Sequence, residues 1–288
     1  MRTLGLLGLV AAVLLATAIA SPWVAWGAAA VAGRHFTFAR VYDRVFEVLL
    51  AGSLALDWRR LDLGSPAEIG FRRRAWARDL GRGVAIGLAG LSAGLAVAAL
   101  FGGLAPGLRF PAGKTVRKAL LGVGAAVAIG VGEEALFRGV VLRRIRHDAG
   151  DGLAVAATAL VYGAVHVIRA RSFAGPPHLW SGFQQTIALL GPLASGSVPR
   201  PMIGLSLLGV LLAVARIRSG ALWLPIGIHA AFVGGFRVGR LFFNVRPGPA
   251  WLVGTGWPPL MGGVAGWIAV GVAAALLAGG RRRFLAKA

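Results

Sequence analysis

Residues 119–142 read ALLGVGAAVAIGVGEEALFRGVVL. An unbroken run of small and apolar residues leads into Glu133 and Glu134, and apolar residues resume on both sides of Arg138. A bilayer core of about 30 Å is crossed by about 20 helical residues, so this stretch is long enough to span one. A carboxylate near the middle of such a helix costs at least about 2.5–3.5 kcal/mol on insertion scales. The pair therefore faces the inside of a helix bundle. Neighbouring helical positions stand about 100° apart, so both acids can flank one inward wedge. Arg138 lies four residues beyond Glu134, on the same helix face, with the acid N-terminal to the cation as that pairing prefers. The simplest job of Arg138 is to hold Glu134 ionised and oriented. An ion pair that only fixes helix packing is the alternative.

The rest of the chain repeats the pattern of apolar block and basic break. It has 288 residues, is 57% hydrophobic and has a mean hydropathy of +0.74. Blocks at about 4–31, 38–56, 83–103, 119–142, 153–168, 202–215, 222–238 and 260–278 predict eight spans. The second is weakened by Asp43, Arg44 and Glu47. A half-apolar piece at 179–193 carries two glutamines and Gly191-Pro192, and it reads as a re-entrant or interfacial helix. The expected fold is all-α: a polytopic transmembrane helical bundle. It forms a single membrane domain over 1–288, with a catalytic-motif core at 119–235 and a basic cytoplasmic loop at 57–82. The 44 glycines and many alanines suit close helix packing in lipid; a compositional bias toward Gly, Ala and Arg would give the same counts.

A formal charge of +21 raises the question of nucleic acid. The basic residues sit in short clusters between apolar blocks, as topology signals do, and no separate basic domain offers a groove. No nucleic-acid partner is expected. With the N-terminus inside, the clusters at 59–82, 143–146, 216–218 and 281–283 all fall on the cytoplasmic side, with both termini there. Arg109, Lys114, Arg117 and Lys118 resist the scheme. The expected location is a bacterial-type inner membrane. Met1, Arg2 and Ala18-Ile19-Ala20 resemble a signal peptide, but Pro22 follows the candidate cut and apolar sequence runs on to Gly33, which predicts an uncleaved first span. The absence of cysteine excludes disulfides, thiolate metal sites and a cysteine nucleophile.

Two histidines stand inside later spans. His166 ends Tyr162-Gly163-Ala164-Val165-His166, with Tyr162 one turn before it on the same face. His229 sits eight residues into the seventh block, about 12 Å deep at 1.5 Å per residue. His35, His147 and His178 fall in or beside loops and read as solvated. Only ten acids occur in the chain, none after Asp151. Two carboxylates and two buried imidazoles on three helices suggest hydrolysis: a glutamate as general base on water, and histidine orienting that water or stabilising an oxyanion. The same atoms suit zinc, with Glu133, His166 and His229 as candidate ligands. No His-Glu-x-x-His and no Gly-x-Ser-x-Gly occurs.

Glu133-Glu134-Ala135-Leu136-Phe137-Arg138 resembles the Glu-Glu-x-x-x-Arg motif of the CAAX-processing and bacteriocin-processing (CPBP) intramembrane protease family. Tyr162 to His166 resembles its aromatic-x-x-x-His motif, and His229 the histidine of its last motif. The resemblance implies an all-helical bundle of about eight membrane helices and cleavage of a prenylated protein tail after the modified cysteine. It implies Glu133 as the base that activates water, aided by His166, with Glu134 and Arg138 in support and His229 at the oxyanion. Both zinc-dependent and glutamate-only chemistry have been argued for the family; with Arg138 already offering Glu134 a cation, a metal-free water is expected here, so no cofactor, with zinc as the alternative. The family's last motif usually has asparagine four residues after its histidine, where this chain has Val233. Tyr162 stands where phenylalanine is more usual.

The expected function is an intramembrane endopeptidase acting on lipidated or membrane-associated peptides, with membrane lipids as further partners. A weak or inactive scaffold or immunity-type protein is the second reading, favoured by Val233. A proton-linked transporter using the two glutamates as relay groups is the third.

Overall fold

The fold is seen in a computed structural model that describes residues 2–33, 36–56, 58–59, 64–167, 176–194, 200–246, 249–255, 258 and 260–280. His35, Asp57, Arg60, Asp62, Arg169, Arg171, Arg281, Arg282, Arg283 and Lys287, which bear on loops and topology above, lie outside the described residues. The chain forms two compact units, Met1–Gly64 with Ile168–Val198, and Ser65–Val167 with Pro199–Ala288.

The first unit holds α1 (Arg2–Ala32), α2 (Phe38–Leu56) and α7 (Ser181–Ala194). Helix α1 runs through Pro22 without ending. Phe38, Val41 and Tyr42 of α2 pack on Ala25 of α1, with Leu189 of α7 against them. The Tyr42 hydroxyl bonds the Thr186 hydroxyl at 2.7 Å, which removes two polar groups from an apolar setting. Gly182 lies on the backbone of Ala18, where any Cβ would collide with the Ala18 carbonyl. In α2 the charges face outward, with Arg44 and Glu47 ion-paired. At 14 residues α7 is about 21 Å long, short of a bilayer core.

The second unit holds α3 (Pro66–Ile69), α4 (Trp76–Leu100), α5 (Ala112–Glu134), a π-helical turn (Ala135–Val141), α6 (Leu142–Val167), α8 (Arg200–Ser219), α9 (Trp223–Gly239), α10 (Ala250–Val253) and α11 (Val264–Gly279). Its core is aliphatic: Leu205, Leu208 and Leu212 of α8, Ile228 and Phe232 of α9, Ala269 and Ala273 of α11, with Phe137 and Tyr162 among them. Helix α4 turns its small residues on two neighbours. Gly83 and Gly87 meet the α9 backbone at Leu224 and Ile228, and Gly90 and Gly94 meet α11 at Ala269 and Ala265. Gly227 answers from α9 against the Leu80 carbonyl. At these positions glycine is a contact surface that lets backbones touch, as bundles in lipid need.

Three boundaries differ from the sequence-based expectation. The fourth and fifth blocks form one helical run, Ala112–Val167, with no gap at the basic cluster 143–146. It bends at Gly150, whose φ of 78° and ψ of 174° only glycine adopts readily. The basic loop ends early, because Trp76 to Arg82 already form the first two turns of α4. A two-stranded antiparallel ribbon also interrupts the helical pattern. β1 (Leu104–Pro106) pairs with β2 (Phe243–Val245), Ala105 opposite Asn244. Strands of three residues are too short for a period-2 signal.

Four helices among the described residues are long and apolar enough to cross a membrane: Leu7–Ala32, Trp76–Leu100, Ala112–Val167 and Arg200–Ser219. Helices α9 and α11 are as apolar but have 17 and 16 residues.

Candidate active site

Glu133 and Glu134 end α5, and Arg138 sits in the π-helical turn that follows. A π turn adds a residue to the helical repeat and is frequent at functional sites. Across it, Arg138 Nη1 donates to Glu134 Oε1 at 2.9 Å, and both side chains are fully buried. Arg138 Nη2 donates to the carbonyl of Gly209 in α8 at 3.1 Å, and its guanidinium lies 4.6 Å from the centre of the Tyr162 ring. Burying a lone guanidinium here would be prohibitive. The carboxylate, the carbonyl and the ring face together compensate the lost hydration.

The same Glu134 oxygen accepts a second bond, from Nδ1 of His229 at 2.9 Å. An ionised carboxylate can only accept, so His229 carries its proton on Nδ1 and turns Nε2 the other way. His166 is fixed in the same sense: its Nδ1 donates to the backbone carbonyl of Tyr162 at 2.8 Å. Both Nε2 atoms point at one atom, Glu133 Oε2, at 3.3 Å from His166 and 3.9 Å from His229. Two carboxylates thus face one guanidinium and two imidazoles in one pocket, so the charges of the cluster are coupled.

Burial is graded across the cluster. Glu134, Arg138 and His229 are closed off, whereas the side chains of Glu133 and His166 are 29% and 26% exposed. The edge of the site that opens outward is thus the Glu133–His166 edge. All five residues predicted from the sequence meet here, from α5, the π turn, α6 and α9. His147, paired with Asp148, and His178 are exposed.

Sequence reading placed Tyr162 beside His166 and left its hydroxyl without an assigned partner. Its ring packs on His166 at a tilt of 45° with centroids 4.3 Å apart and meets His229 edge-on at 6.0 Å. Its hydroxyl stands 3.4 Å from His229 Nε2, fully buried. The presence of tyrosine where phenylalanine is usual was the available signal. Val233, one turn beyond His229, is half-buried and brings no donor. The Gly209 carbonyl had no sequence signal at all.

Glu133, His166 and His229 are of the donor types zinc prefers. As placed, the described residues include no group of three His or carboxylate side chains that could hold one ion.

Such a cluster, walled by apolar helices, belongs to an integral membrane protein with a buried acid–imidazole centre. Residues 115–234 match the family model described as type II CAAX prenyl endopeptidase Rce1-like. The match, 120 of the 288 residues, covers all three motifs and makes this segment similar to the CAAX-protease family that they resemble. No curated protein and no solved structure matches the chain.

Proposed function

We propose that this protein is an intramembrane endopeptidase that hydrolyses a peptide bond with a water activated by Glu133. The observation that carries the reading is the convergence of both imidazole Nε2 atoms on Glu133 Oε2, each ring held from behind at Nδ1. Water bound at the exposed edge gives its proton to Glu133 while its oxygen attacks the carbonyl carbon. His166 orients that water. The tetrahedral oxyanion is met by Nε2–H of His229 in its doubly protonated form, whose charge Glu134 compensates, and by the Tyr162 hydroxyl turning from Nε2. Glu133 then passes the proton to the amide nitrogen as the C–N bond breaks. The products are a carboxylate and an amine.

The matched family description names a prenyl endopeptidase, so a lipidated or membrane-associated peptide is the substrate class we propose. The chemistry is read as metal-free. For topology we propose eight crossings in a bacterial-type inner membrane with both termini cytoplasmic. α2, α9 and α11 cross with the four longer helices, and α5 and α6 cross in turn on either side of the bend.

The test uses purified full-length protein in vesicles with a prenylated peptide ending in a free carboxylate. Cleavage is expected, unaffected by a chelator, and Glu133→Gln is expected to lower kcat by about 10²–10⁴-fold. Full activity in Glu133→Gln would remove the mechanism. Phenotype without cleavage by either protein would favour the scaffold reading, which Val233 supports.

A further inference from the structure

Away from the acid–imidazole centre, the second unit holds a cavity of about 260 Å³ at the start of α4 and the ends of α8 and α11. Its walls carry Arg78, Arg82 and Arg218, with Asp79, Ser219 and Leu224. Arg78 and Arg82 are one turn apart on α4, so both guanidiniums come off one face. Arg218 reaches in from the last turn of α8. The Arg82 guanidinium lies against the backbone of Gly280 at the end of α11. Asp79 is the one carboxylate in the lining, 3.7 Å from Arg78. Among the described residues no carboxylate pairs with Arg82 or Arg218. All three arginines keep contact with solvent, and three guanidiniums facing one carboxylate make the cavity a favourable place for an anion.

The aromatic residues set the depth. Trp76 and Phe71 pack on Trp223 with centroids 5.8 and 5.5 Å away, at the first turns of α4 and α9, and Trp76 is half exposed. Tryptophan clusters at helix starts mark the boundary between headgroups and hydrocarbon. Arg78 and Arg82 follow Trp76 by two and six residues, about 3 and 9 Å along the axis on the hydrocarbon side of that ring. Their long side chains reach back to the headgroup layer by snorkelling. The cavity has the size, charge and level to take a phosphate that belongs to a lipid.

We propose that Arg78, Arg82 and Arg218 form a binding site for the phosphate of an anionic phospholipid headgroup. Leu224 and Leu277 supply the apolar flank for the start of its chains. The site is independent of the peptidase reading, since among the described residues no hydrogen bond or ion pair links its lining to Glu133, His166 or His229.

The test titrates delipidated full-length protein in detergent with phosphatidylglycerol, phosphatidylcholine or inorganic phosphate. Bound lipid is counted by native mass spectrometry and Tm is followed. Phosphatidylglycerol is expected to be retained and to raise Tm, phosphatidylcholine and inorganic phosphate to do neither at equal concentration. The pair Arg82→Gln with Arg218→Gln is expected to weaken retention by at least about tenfold, given the contribution of each arginine near an anionic surface. Arg73→Gln with Arg74→Gln removes the same charge from positions that do not line the cavity and is expected to stay within about twofold, since charges that make no direct contact with the phosphate are screened. Equal loss in the two pairs would overturn the site in favour of a diffuse field. Equal retention of the two lipids would overturn it outright, and equal stabilisation by inorganic phosphate would replace the lipid with a soluble anion. If the glutamine pair does not fold, Arg82→Lys serves instead. Loss of the forked contact is expected to weaken retention severalfold, and unchanged retention counts against the proposal.

Discussion

Arg138 and Glu134 are one unit with His229: a single carboxylate oxygen takes bonds from the guanidinium and from the imidazole. Removing the guanidinium therefore does two things. Arg138→Ala leaves Glu134 charged and uncompensated in a buried place, which costs about 3–5 kcal/mol, read as a lower Tm in detergent. It also removes the group that fixes the Glu134 carboxylate in place, so the hold on His229 Nδ1 loosens and activity falls in whatever protein still folds. Tyr162→Phe separates packing from chemistry at the same scale. The ring contacts with Phe137, His166 and His229 survive, and only the hydroxyl near Nε2 goes. Its loss is expected to lower kcat about tenfold or more with little change in KM, because an oxyanion donor acts in the transition state alone. An unchanged kcat would show that the hydroxyl only packs.

Helices α4 and α9 explain why His229 sits where it does. Their backbones touch along Gly83, Gly87 and Gly227, which locks α9 one turn below its histidine. Gly87→Ala would put a Cβ 2.7 Å from both the Ala231 Cβ and the Ile228 carbonyl. Overpacking of that kind costs about 1–3 kcal/mol and pushes α9 away. Thermal unfolding and kcat are both expected to fall. Gly81→Ala is the matched control on the same helix, with nothing within 4 Å of its Cβ. There the usual helical gain of about 0.5–1 kcal/mol is expected instead. The small-residue composition was legible in the sequence, but it could not separate contact glycines such as Gly87 from idle ones such as Gly81. Only the facing helix tells them apart.

Across the whole molecule, the absence of cysteine makes topology directly measurable. Single cysteines at Arg73, Ser219 and Ala288 are expected to label from the cytoplasmic side, and one at Arg109 from the opposite side. Labelling of Arg109 and Arg73 from one side would break the eight-crossing scheme. Local sequence determined the helical blocks, because apolar runs of bilayer length have one cheap solution for their backbone hydrogen bonds. It also singled out Glu133, Glu134, Arg138, His166 and His229, because an ionisable group in such a run is costly enough to need a reason. Tertiary structure decided what no local pattern encodes: which Nε2 faces which carboxylate oxygen, the helical run bent at Gly150, the Tyr162 hydroxyl beside His229, and the arginines gathered from α4 and α8. These are contacts between residues far apart in the chain, set by how helices pack rather than by any one helix's own preferences.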